Sequence, residues 1–480
     1  MKKLFRGMLC TALLVVAASI PAFAADREAP QQQGDFSVLV NGEYITFSDA
    51  VPQIRDSRSC LPFVAVFEQL GFAEEDMTWD GNTSTVTATK GDTTIALTIG
   101  ENQITLTKAG QTTVIDTDVA AYIDPSLSRT YVPFGLVADA LGYKVGWDAQ
   151  QKTVIIDDVD SILAANTETY TVMDKYMAYS KSFYEKNQKV TGDYTMDYAI
   201  NATDDTQDSS FGFGVDGDYQ MLTSGATAFQ FETDLTVDMT STDEILPSDE
   251  QAMFPLDIDF DMRGDLSNGT FYFQSGALAT LMEQPDLANA WYKLDLASMF
   301  DQMEDVMGMN YTSLMELSLN SLDMSFEESL DSMLRLMPLT SVDLTTSDYL
   351  AQLNTLLADS SFQKSGSTYV STLEEDGMVM TFTLYTSGSS VNGYAVQMTA
   401  TDPMFGAVEM TASMKDRQLD MSMTMDMAIS EDADSSVSMS LDMIMNGTYQ
   451  TTTEQPATQP PADAVIIDLN QMMGLAAAEL

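Results

Sequence analysis

Histidine is absent from all 480 residues, and Lys and Arg together number only 21 against 72 Asp and Glu. The first absence removes the usual general base of a Ser or Cys triad and the commonest zinc ligand. The second leaves a formal net charge of −51 and no clusters of Lys and Arg able to bind nucleic-acid phosphates or an anionic lipid surface. The plain reading of that balance is a solvated acidic surface, with calcium or a cationic partner left open. Cysteine is scarce too, with two in the chain. Cys10 lies in the N-terminal apolar run, which leaves Cys60 no internal disulfide partner; beside Leu61, Pro62 and Phe63 it reads as a small buried hydrophobe. Beyond the N-terminal run no segment reaches the roughly eighteen apolar residues of a membrane span, so no transmembrane span is expected after cleavage.

What is present begins with an export signal. Lys2, Lys3 and Arg6 precede an apolar run over residues 8–20, followed by Pro21-Ala22-Phe23-Ala24. A basic start, a short apolar stretch and a small-x-small site read as a signal peptide over residues 1–24. Cys10 sits too early for a lipobox. The expected location is therefore extracellular, secreted or associated with the cell wall. A chain of this length is expected to hold two or three domains.

An internal repeat follows. Arg58-Ser59-Cys60-Leu61-Pro62-Phe63, then Gln69-Leu70-Gly71-Phe72, returns as Arg129-Thr130-Tyr131-Val132-Pro133-Phe134, then Ala140-Leu141-Gly142-Tyr143. Arg58 and Arg129, Pro62 and Pro133, and Gly71 and Gly142 are each 71 residues apart; Trp79-Asp80 and Trp147-Asp148 are 68 apart. Each copy reads as a strand ending in proline, a short amphipathic helix, a glycine stop suited to a left-handed C-cap, and a Trp-Asp turn into a further strand. Between the copies, residues 93–107 alternate with period two, as hairpin strands do. For Trp79 and Trp147 two readings compete, aromatic plugs in each repeat's core and platforms that stack on wall glycan.

This pattern resembles the copper amine oxidase N-terminal-like, or stalk, domain of secreted bacterial proteins, over residues 36–158. Val64 and Gly135 stand where that family often carries an arginine. The resemblance implies a spacer apart from any redox centre, and a three-His copper site cannot form in a chain without histidine.

Residues 159–187 read as a linker helix, and residues 188–449 as an acidic, Met-rich antiparallel β domain. Its strands alternate apolar with carboxylate or hydroxyl side chains, as for a sheet with one wet face. Helices are expected at about 296–358, where apolar residues recur three and four apart. The expected class is α+β: a small repeated strand-helix-strand module, then a large curved antiparallel sheet with a central helical insertion over its concave side. The order of elements, with Phe271-Tyr272-Phe273 and Trp291-Tyr292-Lys293-Leu294-Asp295 as a strand pair, is similar to the half-barrel of bacterial lipoprotein-carrier proteins; that resemblance implies an apolar cavity. Residues 450–463 read as a stiff Pro/Thr-rich linker, and residues 464–480 as a tail that either adds an edge strand or hangs loose.

Methionine is plentiful, 34 in the chain. Met421, Met423, Met425 and Met427, with Met439, Met443 and Met445, alternate along strands and so form thioether stripes on one face. Core packing, an adaptable surface for an apolar ligand, and Cu(I) or Ag(I) binding all suit such stripes. Gly212, Gly214 and Gly217 match a dinucleotide fingerprint only in letters, lacking the strand and helix it needs. Asp257, Asp259 and Asp261 imitate an EF-hand start, but Met262 stands where the turn needs glycine. No catalytic, cofactor or metal residue is assigned. The expectation is a non-catalytic surface protein whose stalk presents a β domain to a lipid or other apolar ligand, a wall component or a surface protein. The alternatives are a purely structural envelope protein and a carboxylate-dependent envelope hydrolase.

Overall fold

Pro62 and Pro133 each end a strand, and in both places a helix starts at the next residue. Proline has no N–H for a ladder, and its fixed φ suits a helix entry. The structure, a computed structural model, describes residues 34–203, 208–242, 253–281, 285–301, 310–312, 315, 323–337, 339–375, 377–402, 406–430 and 436–471. The signal peptide lies outside them. The described residues fall into two units, one of residues 34–168 with Glu327–Asn354 and one of residues 169–326 with 355–471.

In the first unit the strands are β1 (Ser37–Val40), β2 (Glu43–Tyr44), β3 (Gln53–Arg55), β4 (Arg58–Pro62), β5 (Met77–Asp80), β6 (Thr85–Lys90), β7 (Thr93–Thr98), β8 (Gln103–Lys108), β9 (Gln111–Asp116), β10 (Tyr122–Asp124), β11 (Arg129–Pro133), β12 (Lys144–Asp148) and β13 (Thr153–Asp157). Helices Phe63–Gln69 and Phe134–Leu141 follow β4 and β11. The two copies meet along those strands, with Cys60 opposite Pro133, Leu61 opposite Val132 and Pro62 opposite Tyr131. Since Cys60 and Tyr131, and Pro62 and Pro133, are equivalent in the repeat, this register is symmetric about a local two-fold at Leu61 and Val132. The arginines obey the same symmetry: Arg58 Nε donates to Asp118 at 2.9 Å and Arg129 Nε to Asp49 at 2.8 Å, each reaching into the other copy. Phe63, Val66, Phe67, Phe134 and Val137 are buried in one shared core. Gly71 and Gly142 end the helices at φ of +80° and +81°, a conformation that costs other residues a Cβ clash.

Trp79 and Trp147 correct one expectation, for they are 48% and 43% exposed and plug neither core. Both sit on edge strands, β5 and β12, where one side of the ladder ends, and Trp147 meets the core through an edge-on contact with Phe36 at 6.2 Å. Helix and strand patterns identify such a residue's partner strand but not the sheet's rim. Cys60 is fully buried, and burial pushes its thiol up to about 11.

The span 159–187 is two helices rather than one, Val159–Ala165 and Thr171–Tyr184. Asp158 caps the first by accepting from Ser161 N at 3.0 Å, and the chain turns extended at Asn166. The second starts on the Asp359 carboxylate, which accepts from Thr171 N at 3.0 Å and Val172 N at 2.8 Å.

The second unit carries β14 (Gln188–Thr203), β15 (Asp208–Ser224), β16 (Ala228–Ser241), β17 (Leu256–Asp265), β18 (Thr270–Gln274), β19 (Trp291–Asp295), β20 (Gln363–Ser365), β21 (Thr368–Glu375), β22 (Met378–Ser387), β23 (Ser390–Asp402), β24 (Gly406–Lys415), β25 (Gln418–Ser430), β26 (Ser436–Thr451) and β27 (Ile466–Asp468). They form a single sheet in the order β20-β21-β22-β23-β24-β25-β26-β14-β15-β16-β17-β18-β19-β27. Two meanders join where β26 returns beside β14, in register from Gln188 opposite Thr451 to Thr203 opposite Ser436. With this sheet and its helices the class is α+β.

The helical insertion departs from expectation. Described helices there are Leu296–Asp301, Phe326–Leu336 and Thr346–Leu357; the helical pattern over 302–309 and 316–322 lies outside the described residues. Glu327–Asn354 packs within the first unit instead of over the sheet. Its connecting segment buries Leu339 and Val342 against Leu39 and Ile155 of the repeat module. From that insertion the short helix Leu296–Asp301 meets the sheet, at β18; the longer helix Thr171–Tyr184 packs on it with Tyr176 edge-on to Phe382 at 5.5 Å and to Tyr394 at 5.0 Å. The Pro/Thr-rich stretch is not a free linker either. Ala457 N donates to Gln230 Oε1 at 2.9 Å, Gln459 O accepts from Arg263 at 3.2 Å, and Trp291 N donates to Val465 O at 2.8 Å before β27 pairs in parallel with β19.

Candidate functional site

Alternation along each strand puts residues two apart on one face, and register decides which meet across strands. Met421 lies opposite Met445, Met423 opposite Met443, Met425 opposite Leu441 and Met427 opposite Met439. The seven sequence-singled methionines thus form one continuous patch on β25 and β26. Met421 and Met445 are buried, and Met423, Met425, Met427, Met439 and Met443 are half-buried.

The register extends this patch to residues the strand patterns did not single out. Met380 faces Met398, Met398 faces Met410, Met410 faces Met423, Met423 faces Met443, and Met443 faces Met196. Six neighbouring strands therefore place methionine in one lateral row. The row continues across β15, β16 and β17 as Val215, Val237 and Leu256. The signal for Met196, Met380, Met398 and Met410 was present in their alternation, but their alignment depends on how many residues each hairpin turn takes up.

At one end of the patch the strands run under the helix Thr171–Tyr184. Phe183 stands edge-on to Tyr449 at 5.0 Å, and Tyr179 and Tyr449 hydroxyls share a hydrogen bond at 3.2 Å. Burial raises the phenols of Tyr179, Tyr394 and Tyr449 above their ordinary range, keeping this end neutral. Gly447 and Gly192 lie opposite each other beneath Tyr219; a Cβ on Gly447 would come within 2.3 Å of the Tyr219 hydroxyl. Away from that end the face opens, through Met423 and Met443 to Met427, Met439 and Ile200, all half-buried.

The reverse face is acidic. Asp193 lies opposite Asp218, Asp218 opposite Asp234, and Asp234 opposite Asp259. Like charges directly opposed destabilise a ladder, so these carboxylates depend on solvation. Glu232 and Asp261 join Asp218, Asp234 and Asp259 around a cavity of about 460 Å³, and Arg263 Nη2 pairs with Asp261 at 2.6 Å. Gly212, Gly214 and Gly217 lie within β15, not before a helix. Among the described residues no group of three or more His, Cys, Asp or Glu is arranged to hold a metal ion. No helix among them is long and apolar enough to cross a membrane.

Residues 39–189 match the family model of the copper amine oxidase N-terminal domain. That portion, which contains Arg58, Pro62, Gly71, Trp79, Arg129, Pro133, Gly142 and Trp147, is a non-catalytic module in that family. No curated protein matches the chain. Among solved structures, a DUF1329 family protein from Desulfovibrio piger is similar at 8% identity over 59% of this chain and 93% of that one, with a TM-score of 0.10. A likeness of that size carries no argument about fold or function.

Proposed function

We propose that this is an exported, non-catalytic surface protein whose stalk module carries a binding unit, and that the methionine face of the fourteen-stranded sheet takes an apolar ligand such as a lipid acyl chain. The observation that carries the reading is the lateral row of six methionines, half-buried for the most part and bordered by aromatic rings. Unbranched, polarizable thioether side chains repack around irregular apolar shapes more readily than branched ones do. A β-rich unit with apolar contents on one face and carboxylates on the other is soluble outside and adaptable inside.

Native mass spectrometry of the full chain purified from a bacterial host, compared with the same sample denatured, tests this. The expected result is an excess mass that vanishes on denaturation and extracts into organic solvent. A bare chain mass that stays unchanged after incubation with phospholipid or fatty acid would overturn the apolar-ligand reading.

A further inference from the structure

One lateral row of this sheet changes chemistry halfway across. On β15, β16 and β17 it is Val215, Val237 and Leu256, branched side chains of the kind that sheets accommodate well. On the six strands from β22 to β14 every position is methionine, which has no such preference for strands and loses more side-chain freedom when ordered. Apolar burial is served by either set, and the methionine set adds what the branched one lacks, six thioether sulfurs in one row. We propose that Met410, Met423 and Met443, with Met421 and Met445 beside them, bind a soft monovalent cation, Cu(I) or Ag(I).

The geometry supports this in three ways. Met410, Met423 and Met443 lie on three neighbouring strands directly opposite one another, and adjacent strands are about 4.8 Å apart. Flexible side chains based at that spacing can converge their sulfur atoms on one ion. Thioethers are soft ligands that select Cu(I) and Ag(I) over the hard cations taken by carboxylates. The chain's charge of −51 raises the local concentration of any cation, while the aspartates project from the opposite face and so do not compete for the soft ion. The three central methionines are half-buried, which leaves them open to an entering ion. This inference does not rest on the apolar-ligand reading, and replacement by leucine separates the two: leucine retains the apolar surface and removes the ligand atoms.

The test is anaerobic titration of the full chain with Ag(I), and with Cu(I) in competition against a chromophoric chelator, in a Cys10→Ala, Cys60→Ala background that removes both thiols. The expected result is saturable binding that falls at least 100-fold in Met410→Leu/Met423→Leu/Met443→Leu and about tenfold in Met423→Leu alone. The control Met262→Leu, outside this row, is expected to bind as the background does. X-ray absorption of the Cu(I) form is expected to show sulfur neighbours only. No binding in the background protein, or equal binding by the triple and single leucine variants, would overturn the proposal, as would a coordination shell of oxygen or nitrogen.

Discussion

The two halves of the stalk repeat share a backbone plan and differ in what they receive. In the first copy, Asp80 on β5 closes its own turn, accepting from Asn82 N at 2.9 Å and Thr83 Oγ1 at 3.0 Å. In the second, Asp148 on β12 closes the same turn with one oxygen, accepting from Gln150 N and Gln151 N at 2.9 Å, and turns the other to Val342 N at 3.1 Å. Lys144, where the first copy has Asp76, donates to Leu334 O at 2.5 Å and also to Met337 O. Asp157, where the first copy has Thr89, accepts from Thr346 N at 2.8 Å at the start of the helix Thr346–Leu357. The lesson is that a duplicated module becomes a receptor for a distant segment through a few substitutions on one copy, leaving the shared core intact.

Glycine at position 146 breaks the symmetry most sharply. A Cβ there would lie 2.0 Å from Leu339 O and 2.3 Å from Leu339 Cβ, and one of those atoms is backbone that has to move. The equivalent Thr78 of the first copy is exposed. Gly146→Ala is therefore expected to destabilise the first unit by about 2–3 kcal/mol, against a change within about 0.5 kcal/mol for Thr78→Ala. Urea denaturation followed by tryptophan fluorescence measures both. Equal effects would mean that Glu327–Asn354 adds nothing to the module.

A smaller contrast is expected at the paired aspartates. Removing Asp148 takes away the carboxylate that accepts from the buried Val342 N–H, at a cost of about 1–2 kcal/mol beyond the loss of the turn. Asp80, on an exposed turn, has only local partners to lose. Asp148→Ala is expected to speed amide hydrogen exchange around Val342, while Asp80→Ala leaves exchange there unchanged. Matching exchange in the two variants would erase the distinction between the copies.

Much of this was legible in residues close together in the chain. The repeat stands out because Arg, Pro, Gly and Trp recur at fixed offsets, and each has a local job in ending a strand, capping a helix or starting a turn. Alternation placed Met421 to Met427 on one face for the same reason. What sequence order concealed was lateral and long-range. The row from Met380 to Met196 depends on five successive registers, each set by its turn. The docking of Glu327–Asn354 depends on Gly146, Lys144 and Asp157, which lie about 190 residues from their partners and carry no periodic signal. The exposure of Trp79 and Trp147 depends on sheet order, which makes β5 and β12 rims.

Lys144 gives the subtlest way to sharpen the comparison, because its effect depends on pH. Burial lowers its ammonium to about 8, against about 10.4 in an unfolded chain. Between those values the unfolded chain holds a proton that the folded one has released, so folding strengthens as pH rises through that window. Asp157 works in the opposite sense: burial raises its carboxyl above the ordinary value, so the folded state holds the extra proton and the associated stability declines as pH rises through that interval. Together they leave the docked segment weakest between the two windows. Melting of the full chain from pH 7.5 to 9.5 is expected to show a gain in stability relative to Lys144→Met, in which that titration is missing. Parallel curves for the two proteins would mean that the ammonium reaches water in the folded state, and that the carbonyls of Leu334 and Met337 are solvated rather than held by a buried cation.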